Sequence, residues 1–330
     1  MNRFVRDQLK RVQFALSKQA LRLGVHITPD HYYSPLPNPL KLARCVERWA
    51  PPSRMAGIHV DLDEQIRNLA AVCEPYVHEV AGNPHYLYAI KQPFPKGRSR
   101  FFGYIEAEVL HAAIRYYKPK HIIEIGSGVP SYCAQQALVR NTNSGCVISI
   151  EPDPVPLLEE IARFSERHMP ESVRCAFELI AKPIQDVPLD LFTRLNANDI
   201  VFIDSDHVVK TGGEVNYVVR EILPILPSGV LVQIHDIYLP YDYDRDVLAT
   251  FLPPNETTVV AAFLAHNSRY KILFALSMLH YERRAEMQRL IPDYRPEQDH
   301  YGMRVGAWDA NKHFPSSLWL QVTNEMRKRA

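Results

Sequence analysis

The sequence lacks the features that would assign it to a membrane-spanning, disulfide-bonded or nucleic-acid-binding class. No apolar run reaches the ~18 residues of a membrane span, and the basic N-terminus has no apolar signal-peptide core. The five cysteines are scattered, without a C-x-x-C pair, which favours free thiols in a reducing compartment. A net charge of +1 gives no reason to expect nucleic acid as the main partner. We therefore expect a cytoplasmic protein without a membrane span.

The composition is that of a chain able to build a substantial core. It has 330 residues, of which 46% are hydrophobic and 23% are charged, as in globular proteins. This length fits one large α/β domain with an extension, or two small domains. No internal repeat or low-complexity run interrupts it. We predict a helical and Pro-rich N-terminal extension over residues 1–100 and an α/β domain over residues 101–330.

The N-terminal extension begins with a predicted helix over residues 2–24. Its apolar positions recur at helical spacing and its other face is basic; the apolar positions are Val5, Leu9, Val12, Leu16 and Leu23. Binding to a membrane surface is one interpretation. Packing on a neighbouring element or on a second copy of the chain, which would form a homo-oligomer, is the favoured one. Residues 25–57 are rich in proline, which predicts neither regular helix nor sheet.

A strand, a glycine turn and a helix are predicted around residues 121–139. Apolar residues lead to Glu124, which is followed by Gly126 and Gly128, and a helix-compatible segment begins near Ser131. The two glycines allow a tight turn and the close approach of a ligand. A dinucleotide turn of the G-x-G-x-x-G type would have a third glycine where Ser131 stands. The preceding Glu124 suits a positively charged ligand better than a pyrophosphate, although a plain strand–turn–helix stays open.

Four predicted strands end in carboxylates, which are Glu124, Glu151, Asp204 and Asp236. Ligands of open α/β sheets bind at the carboxyl ends of strands, and an acidic residue after the second strand is the usual acceptor for ribose hydroxyls. The four carboxylates therefore indicate a ligand site at this edge of the sheet.

The glycine turn and its acidic partner resemble those of class I S-adenosylmethionine-dependent methyltransferases. The resemblance implies a Rossmann-like sheet, mostly parallel with an antiparallel last strand, and helices on both faces. It also implies S-adenosylmethionine as cofactor. The expected cofactor-binding residues are Glu124, Gly126, Ser127, Gly128 and Glu151, together with Gln185 and Asp186 on the loop after the third strand. For these last two residues, solvent-exposed loop positions are an equally good interpretation.

A second constellation consists of Asp204, His235 and Asp236 at the ends of the fourth and fifth strands. Two carboxylates and an imidazole form a set that accepts Mg²⁺ or another divalent cation. The placement resembles that in catechol O-methyltransferase and in macrocin-type sugar O-methyltransferases. This sequence has His235 where those families usually have an acidic residue. A metal-free site in which the two aspartates only form hydrogen bonds stays open.

His207 follows Asp204 by three residues, and we interpret the two as catalytic. In the macrocin-type enzymes a histidine at this spacing is the general base, a role that suits an imidazole. A histidine that only caps the loop is nearly as good an interpretation. The segments 202–212 and 234–240, with Asn255 and Glu256, closely resemble a bacterial family that includes cephalosporin-hydroxylase-like and rhamnosyl O-methylase-like proteins. This resemblance spans residues 101–322.

The resemblance implies transfer of a methyl group from S-adenosylmethionine to a hydroxyl of a sugar or a secondary metabolite. The partner would then be a small-molecule or glycan acceptor. Two alternatives remain open at this point. One is a family member that binds the cofactor but has lost or changed its chemistry. The other is a binding protein that acts in polysaccharide or metabolite assembly.

Overall fold

A computed structural model describes residues 3–28, 30–80, 102–141, 145–154, 176–307, 309 and 311–324. The helices described are α1 (Arg3–Arg22), α2 (Pro39–Leu42), α3 (Val46–Trp49), α4 (Leu62–Cys73), α5 (Tyr104–Tyr117), α6 (Val129–Arg140), α7 (Asp190–Thr193), α8 (Glu214–Tyr217), α9 (Glu256–Leu264), α10 (Leu276–Glu282) and α11 (Arg284–Leu290). The strands described are β1 (His121–Ile125), β2 (Cys146–Ile150), β3 (Ala176–Ile180), β4 (Ile200–Ile203), β5 (Leu231–Ile234), β6 (Tyr270–Ala275), β7 (Asp299–His300), β8 (Met303–Arg304) and β9 (Leu318–Val322).

Seven of these strands form one sheet in the order β3-β2-β1-β4-β5-β9-β6. Strands β1 to β5 are parallel, and β9 runs antiparallel to both of its neighbours, β5 and β6. This arrangement confirms the predicted Rossmann-like fold with an antiparallel last strand. The chain order reverses between β1 and β4, and this reversal opens the crevice in which such sheets bind their ligands.

The central strands are mostly apolar because both faces of the sheet are covered, and their polar residues Glu124, Ser149 and Gln233 are buried. Ile122 packs in a core cluster with residues of α4, α5 and α6. Its neighbour Ile123 packs in a second cluster, together with Phe192 and Val260. Alternate residues of one strand therefore pack in two different cores. This fixes the register of the sheet and the positions of the carboxyl ends of its strands.

The chain divides into two compact units. One comprises residues 1–49 and 247–253, and the other comprises residues 50–246 and 254–330. The predicted boundary at residue 100 lies outside the described residues, so the division into 1–100 and 101–330 stays a prediction. Among the described residues, no helix has both the length and the apolar character needed to cross a bilayer. The four described cysteines are free thiols.

The smaller unit begins with α1, which confirms the helix predicted over residues 2–24. Val12 and Leu16 on this helix are 56% and 62% exposed, and self-association through the helix stays a prediction. The prediction that residues 25–57 form no regular helix was wrong, because the single-turn helices α2 and α3 lie there. Asn38 caps α2 by accepting hydrogen bonds from the Leu40 and Lys41 amides, and Pro39 stands where no amide donor is needed.

Candidate active site

The glycine turn after β1 places two glycines in different roles. Gly126 has φ +90°, and a Cβ there would lie 1.9 Å from the carbonyl oxygen of Asp204. The close approach of β4 therefore requires glycine at this position, and a contact between Gly126 and a cofactor stays a prediction. At Gly128 the nearest atom to an added Cβ is Pro130 Cδ at 3.9 Å. The space beside Gly128 is open, as a ligand-binding turn requires.

Glu124 is buried at the centre of a hydrogen-bond network that holds this turn. Its Oε2 accepts hydrogen bonds from the hydroxyls of Ser149 (2.8 Å) and Ser131, and the Ser131 hydroxyl accepts one from the Gly128 amide (3.1 Å). Burial raises the pKa of Glu124 to about 8, although both serine hydrogen bonds oppose the rise. Ser131, at the position of the missing third glycine, thus links the turn to the strand. A direct contact between Glu124 and a cofactor stays a prediction.

The other predicted cofactor residues lie on loops at the same edge of the sheet. Glu151 follows β2, and its Oε1 accepts a hydrogen bond from the Asp153 amide at 2.9 Å. After β3, Gln185 lies in a 3₁₀ turn that spans Ile184–Asp186, and its side-chain amide donates a hydrogen bond to the Gly212 carbonyl at 3.1 Å. Asp186 is exposed. The structure therefore places these side chains at the predicted edge, and their contacts with a cofactor stay predictions.

Two buried hydroxyls beside the turn have no hydrogen-bond partner among the described residues. They belong to Ser127, between the two glycines, and to Ser205, directly after Asp204. A buried hydroxyl without a partner is costly, so such groups call for a bound molecule or water. Together with the open space at Gly128, they fit a polar ligand in the crevice between β1 and β4. Sequence reasoning missed Ser205, whose only signal was its position after a strand-end carboxylate.

His207 is held between carboxylates. Its Nε2 lies 3.1 Å from Asp204 Oδ1 and 3.9 Å from Asp236 Oδ2, and its Nδ1 lies 2.9 Å from Glu256 Oε2. Burial would lower its pKa, but the hydrogen bonds to Asp204 and Glu256 and the charges of Asp236 and Asp204 outweigh burial and raise it to about 10. The ring therefore carries a proton at neutral pH. In this form both ring nitrogens donate hydrogen bonds, Nε2 to Asp204 and Nδ1 to Glu256.

His235 belongs to a second, deeper network. Its Nδ1 lies 3.1 Å from Glu106 Oε1, and its Nε2 lies 3.5 Å from Asp236 Oδ1. The same Glu106 oxygen accepts hydrogen bonds from the Ser316 amide and the Ser317 hydroxyl, and the Ser316 hydroxyl donates to Asp236 at 2.8 Å. Burial opposes protonation of His235, but the charges of Asp236, Glu106 and Asp204 raise its pKa well above the ordinary value.

The predicted divalent-cation site on Asp204, His235 and Asp236 does not fit this geometry. Nε2 of His207 lies between the carboxylates of Asp204 and Asp236, where a shared cation would lie. Both ring nitrogens of His235 also face carboxylates, with Nδ1 3.1 Å from Glu106 Oε1 and Nε2 3.5 Å from Asp236 Oδ1. Within the described ranges, no group of three or more His, Cys, Asp or Glu side chains is arranged to hold a metal ion. The three residues form an ion-paired and hydrogen-bonded cluster.

Comparisons with known proteins place a methyltransferase domain over this part of the chain. The family model described as a methyltransferase domain matches residues 123–237, from β1 to just beyond Asp236. An uncharacterized protein from Archaeoglobus fulgidus is 30% identical over 182 residues, which cover 54% of this chain and 77% of that protein.

Two solved structures show a more distant likeness. The O-methyltransferase TomG from Streptomyces achromogenes, in complex with S-adenosylmethionine, is 16% identical with a TM-score of 0.40, covering 81% of this chain and 92% of that one. The methyltransferase PaMTH1 from Podospora anserina is 17% identical with a TM-score of 0.37, covering 72% of this chain and 92% of that one. Both TM-scores lie below 0.5, so neither likeness bears on substrate or mechanism.

Proposed function

Because the chain belongs to the class I S-adenosylmethionine-dependent methyltransferases, we propose that it methylates a hydroxyl group of a small-molecule or glycan acceptor. The observation that carries this proposal is the Asp204–His207 pair, with Nε2 3.1 Å from Oδ1. The Asp204 amide donates to the carbonyl of Ile125, the residue before Gly126, at 2.9 Å. A pair able to handle a proton therefore stands beside the cofactor turn, as removal of a hydroxyl proton requires.

The cofactor would be held by the loops that follow β1, β2, β3 and β4. Glu151 would accept hydrogen bonds from the ribose hydroxyls, and the open backbone at Gly128 would lie against the ligand. The unpaired hydroxyls of Ser127 and Ser205 would find partners on its polar groups. Gln185 and Asp186 would border the adenine. When bound, S-adenosylmethionine supplies a methyl group on a positively charged sulfur.

The residues of the chain position the acceptor oxygen and receive its proton. During methyl transfer, Nε2 of neutral His207 would take the proton of the acceptor hydroxyl. Asp204, 3.1 Å from the same nitrogen, would accept a hydrogen bond from the new N–H and stabilise the imidazolium that forms. Because the pKa of His207 is raised to about 10, the neutral form is a minority at pH 7 and grows as the pH rises. Alignment of the two reactants in the crevice supplies a further part of the rate.

Transfer of a labelled methyl group tests this proposal. The purified chain is incubated with methyl-labelled S-adenosylmethionine and a panel of monosaccharides, glycosides and catechols, and products are separated by mass spectrometry. We expect one class of hydroxyl compound to gain the label. Calorimetric binding of S-adenosylmethionine without product anywhere in the panel would instead favour a cofactor-binding assembly protein.

The same assay measures the dependence on divalent cations. Since Nε2 of His207 lies between the carboxylates of Asp204 and Asp236, we expect turnover in excess EDTA to stay within about twofold of the untreated rate. A matched sample with added Mg²⁺ is the control. Loss of turnover in EDTA that Mg²⁺ restores would reinstate the cation site that the sequence predicts.

Replacing Glu151 by alanine is expected to weaken S-adenosylmethionine binding. A hydrogen bond to a charged group contributes about 1.5–3 kcal/mol, so the Kd measured by calorimetry should rise roughly 10- to 100-fold. Glu178→Ala is the matched control, because Glu178 is an exposed glutamate within the neighbouring strand β3 and away from its carboxyl end. Equal affinities of Glu151→Ala and the parent would place the ribose elsewhere.

A further inference from the structure

Glu256 is a buried carboxylate whose side chain contacts His207. It is the first residue of α9, its side chain is 2% exposed, and it lies 49 residues along the chain from the histidine. Its Oε2 is 2.9 Å from His207 Nδ1, on the side of the ring opposite Asp204. A buried carboxylate is costly to desolvate unless it is paired. This pairing explains how the glutamate is accommodated.

The backbone at the start of α9 holds the same loop. The His207 carbonyl accepts hydrogen bonds from the amides of Asn255 at 3.1 Å and Glu256 at 3.2 Å. The Asn255 side chain accepts one from the Val209 amide at 2.6 Å. His207 has φ +54°, a left-handed conformation that costs energy for a residue with a side chain. The N-terminus of α9 therefore stabilises an unfavourable loop conformation that brings the ring to Asp204.

We propose that Glu256 is a positioning residue for His207. By accepting the Nδ1 proton it fixes the ring plane and leaves Nε2 as the nitrogen that faces Asp204 and the acceptor. The Glu256 side chain is directed at the ring and is 2% exposed, so it would touch neither the acceptor nor the cofactor. This inference rests on the proposed function, since it assigns the outer partner of the proposed base.

Two substitutions separate positioning from charge. Glu256→Gln keeps an oxygen that accepts the Nδ1 proton, whereas Glu256→Ala removes it. We expect Glu256→Ala to lower kcat roughly 10- to 100-fold, the effect that loss of the outer hydrogen-bond partner has on metal-binding histidines. The KM for the acceptor and the Kd for S-adenosylmethionine should stay within about threefold, because neither ligand touches the carboxylate. Glu256→Gln should recover most of the lost kcat.

A matched control is the Glu79–His111 pair, which is also a buried histidine bonded to a glutamate at 2.8 Å. Glu79→Ala should lower the melting temperature and leave kcat near the parent value. If Glu256→Ala lowers kcat only as far as its loss of thermal stability would explain, or if the loss falls on KM, the positioning role is wrong.

Nitrogen NMR of histidine-labelled protein reads the ring without any acceptor. In the parent, the His207 Nδ1 proton should show the shift of a strong hydrogen bond; Glu256→Ala should lose this signal and Glu256→Gln should retain it. An unchanged His207 spectrum in Glu256→Ala would overturn the inference. Absence of methyl transfer by the parent, with the NMR difference intact, would contradict the proposed function and leave the positioning role standing.

Discussion

Replacing Gly126 by alanine is expected to destabilise the larger unit by at least about 3 kcal/mol. The new Cβ would lie 1.9 Å from the Asp204 carbonyl oxygen, which is a backbone atom that cannot rotate away. The left-handed φ of +90° adds about 1–3 kcal/mol of strain for any residue with a side chain. Both terms act where β1 and β4 meet, so relief of the clash must separate the two strands. Denaturant unfolding monitored by circular dichroism measures this loss.

Gly306 is the matched control for this substitution. Its φ of +87° is nearly the same, but no atom lies within 4 Å of an added Cβ. Gly306→Ala therefore carries the strain without the clash, and we expect a loss of about 1–3 kcal/mol at most. Equal losses in the two variants would mean that the close approach of β4 to the turn is not what requires glycine at Gly126.

Much of the fold follows from the sequence because its determinants are local. The strand-end carboxylates Glu124, Glu151, Asp204 and Asp236 each follow a buried apolar run, and parallel strands must bring their carboxyl ends to one edge. The antiparallel last strand followed from the resemblance of the glycine turn to a known family. Single-turn helices such as α2 were not predicted, because one capping residue decides them against a proline-rich background.

The site is less predictable because its contacts join distant segments. Glu106 lies 129 residues from His235, and no local pattern indicates that a glutamate in the first turn of a buried helix meets the end of β5. The same holds for Ser316, which donates to Asp236 over 80 residues. The list of strand-end donors predicts a metal, whereas the structure places Nε2 of His207 between the two aspartates of that list.

The structure also adds contacts that the sequence does not show for predicted residues. Gly126 is predicted to make room for a ligand, and the structure gives a further reason for glycine there, because an added Cβ would meet the Asp204 carbonyl. Ser131 stands where a dinucleotide turn would have its third glycine. In the structure its hydroxyl accepts a hydrogen bond from the Gly128 amide and donates one to Glu124. In both cases the sequence identifies the turn, and only the packing of neighbouring strands shows what each residue contacts.

Replacing His207 by alanine is expected to give the largest loss of turnover, and the loss should depend on pH. Because hydrogen bonds and nearby carboxylates raise the pKa of His207 to about 10 against its burial, the parent kcat/KM should rise about tenfold per pH unit between pH 7 and 9. His207→Ala should lose this slope. At pH 9 its turnover should lie roughly 10²- to 10⁴-fold below the parent, the usual contribution of a positioned base, and nearer to the parent at pH 7.

His121→Ala is the control for this substitution, since His121 pairs with Asp199 at 3.3 Å at the amino end of β1, away from the crevice. Its pH profile should follow that of the parent.

The raised pKa of His207 also stabilises the fold: this contribution is complete below the ordinary histidine pKa of about 6.5 and is lost as the pH rises through about 10. The melting temperature measured at each pH therefore shows whether a loss of turnover comes from unfolding or from the missing base. A parent profile that is flat from pH 7 to 9, or a His207→Ala profile that keeps the slope, would assign the proton transfer to another group.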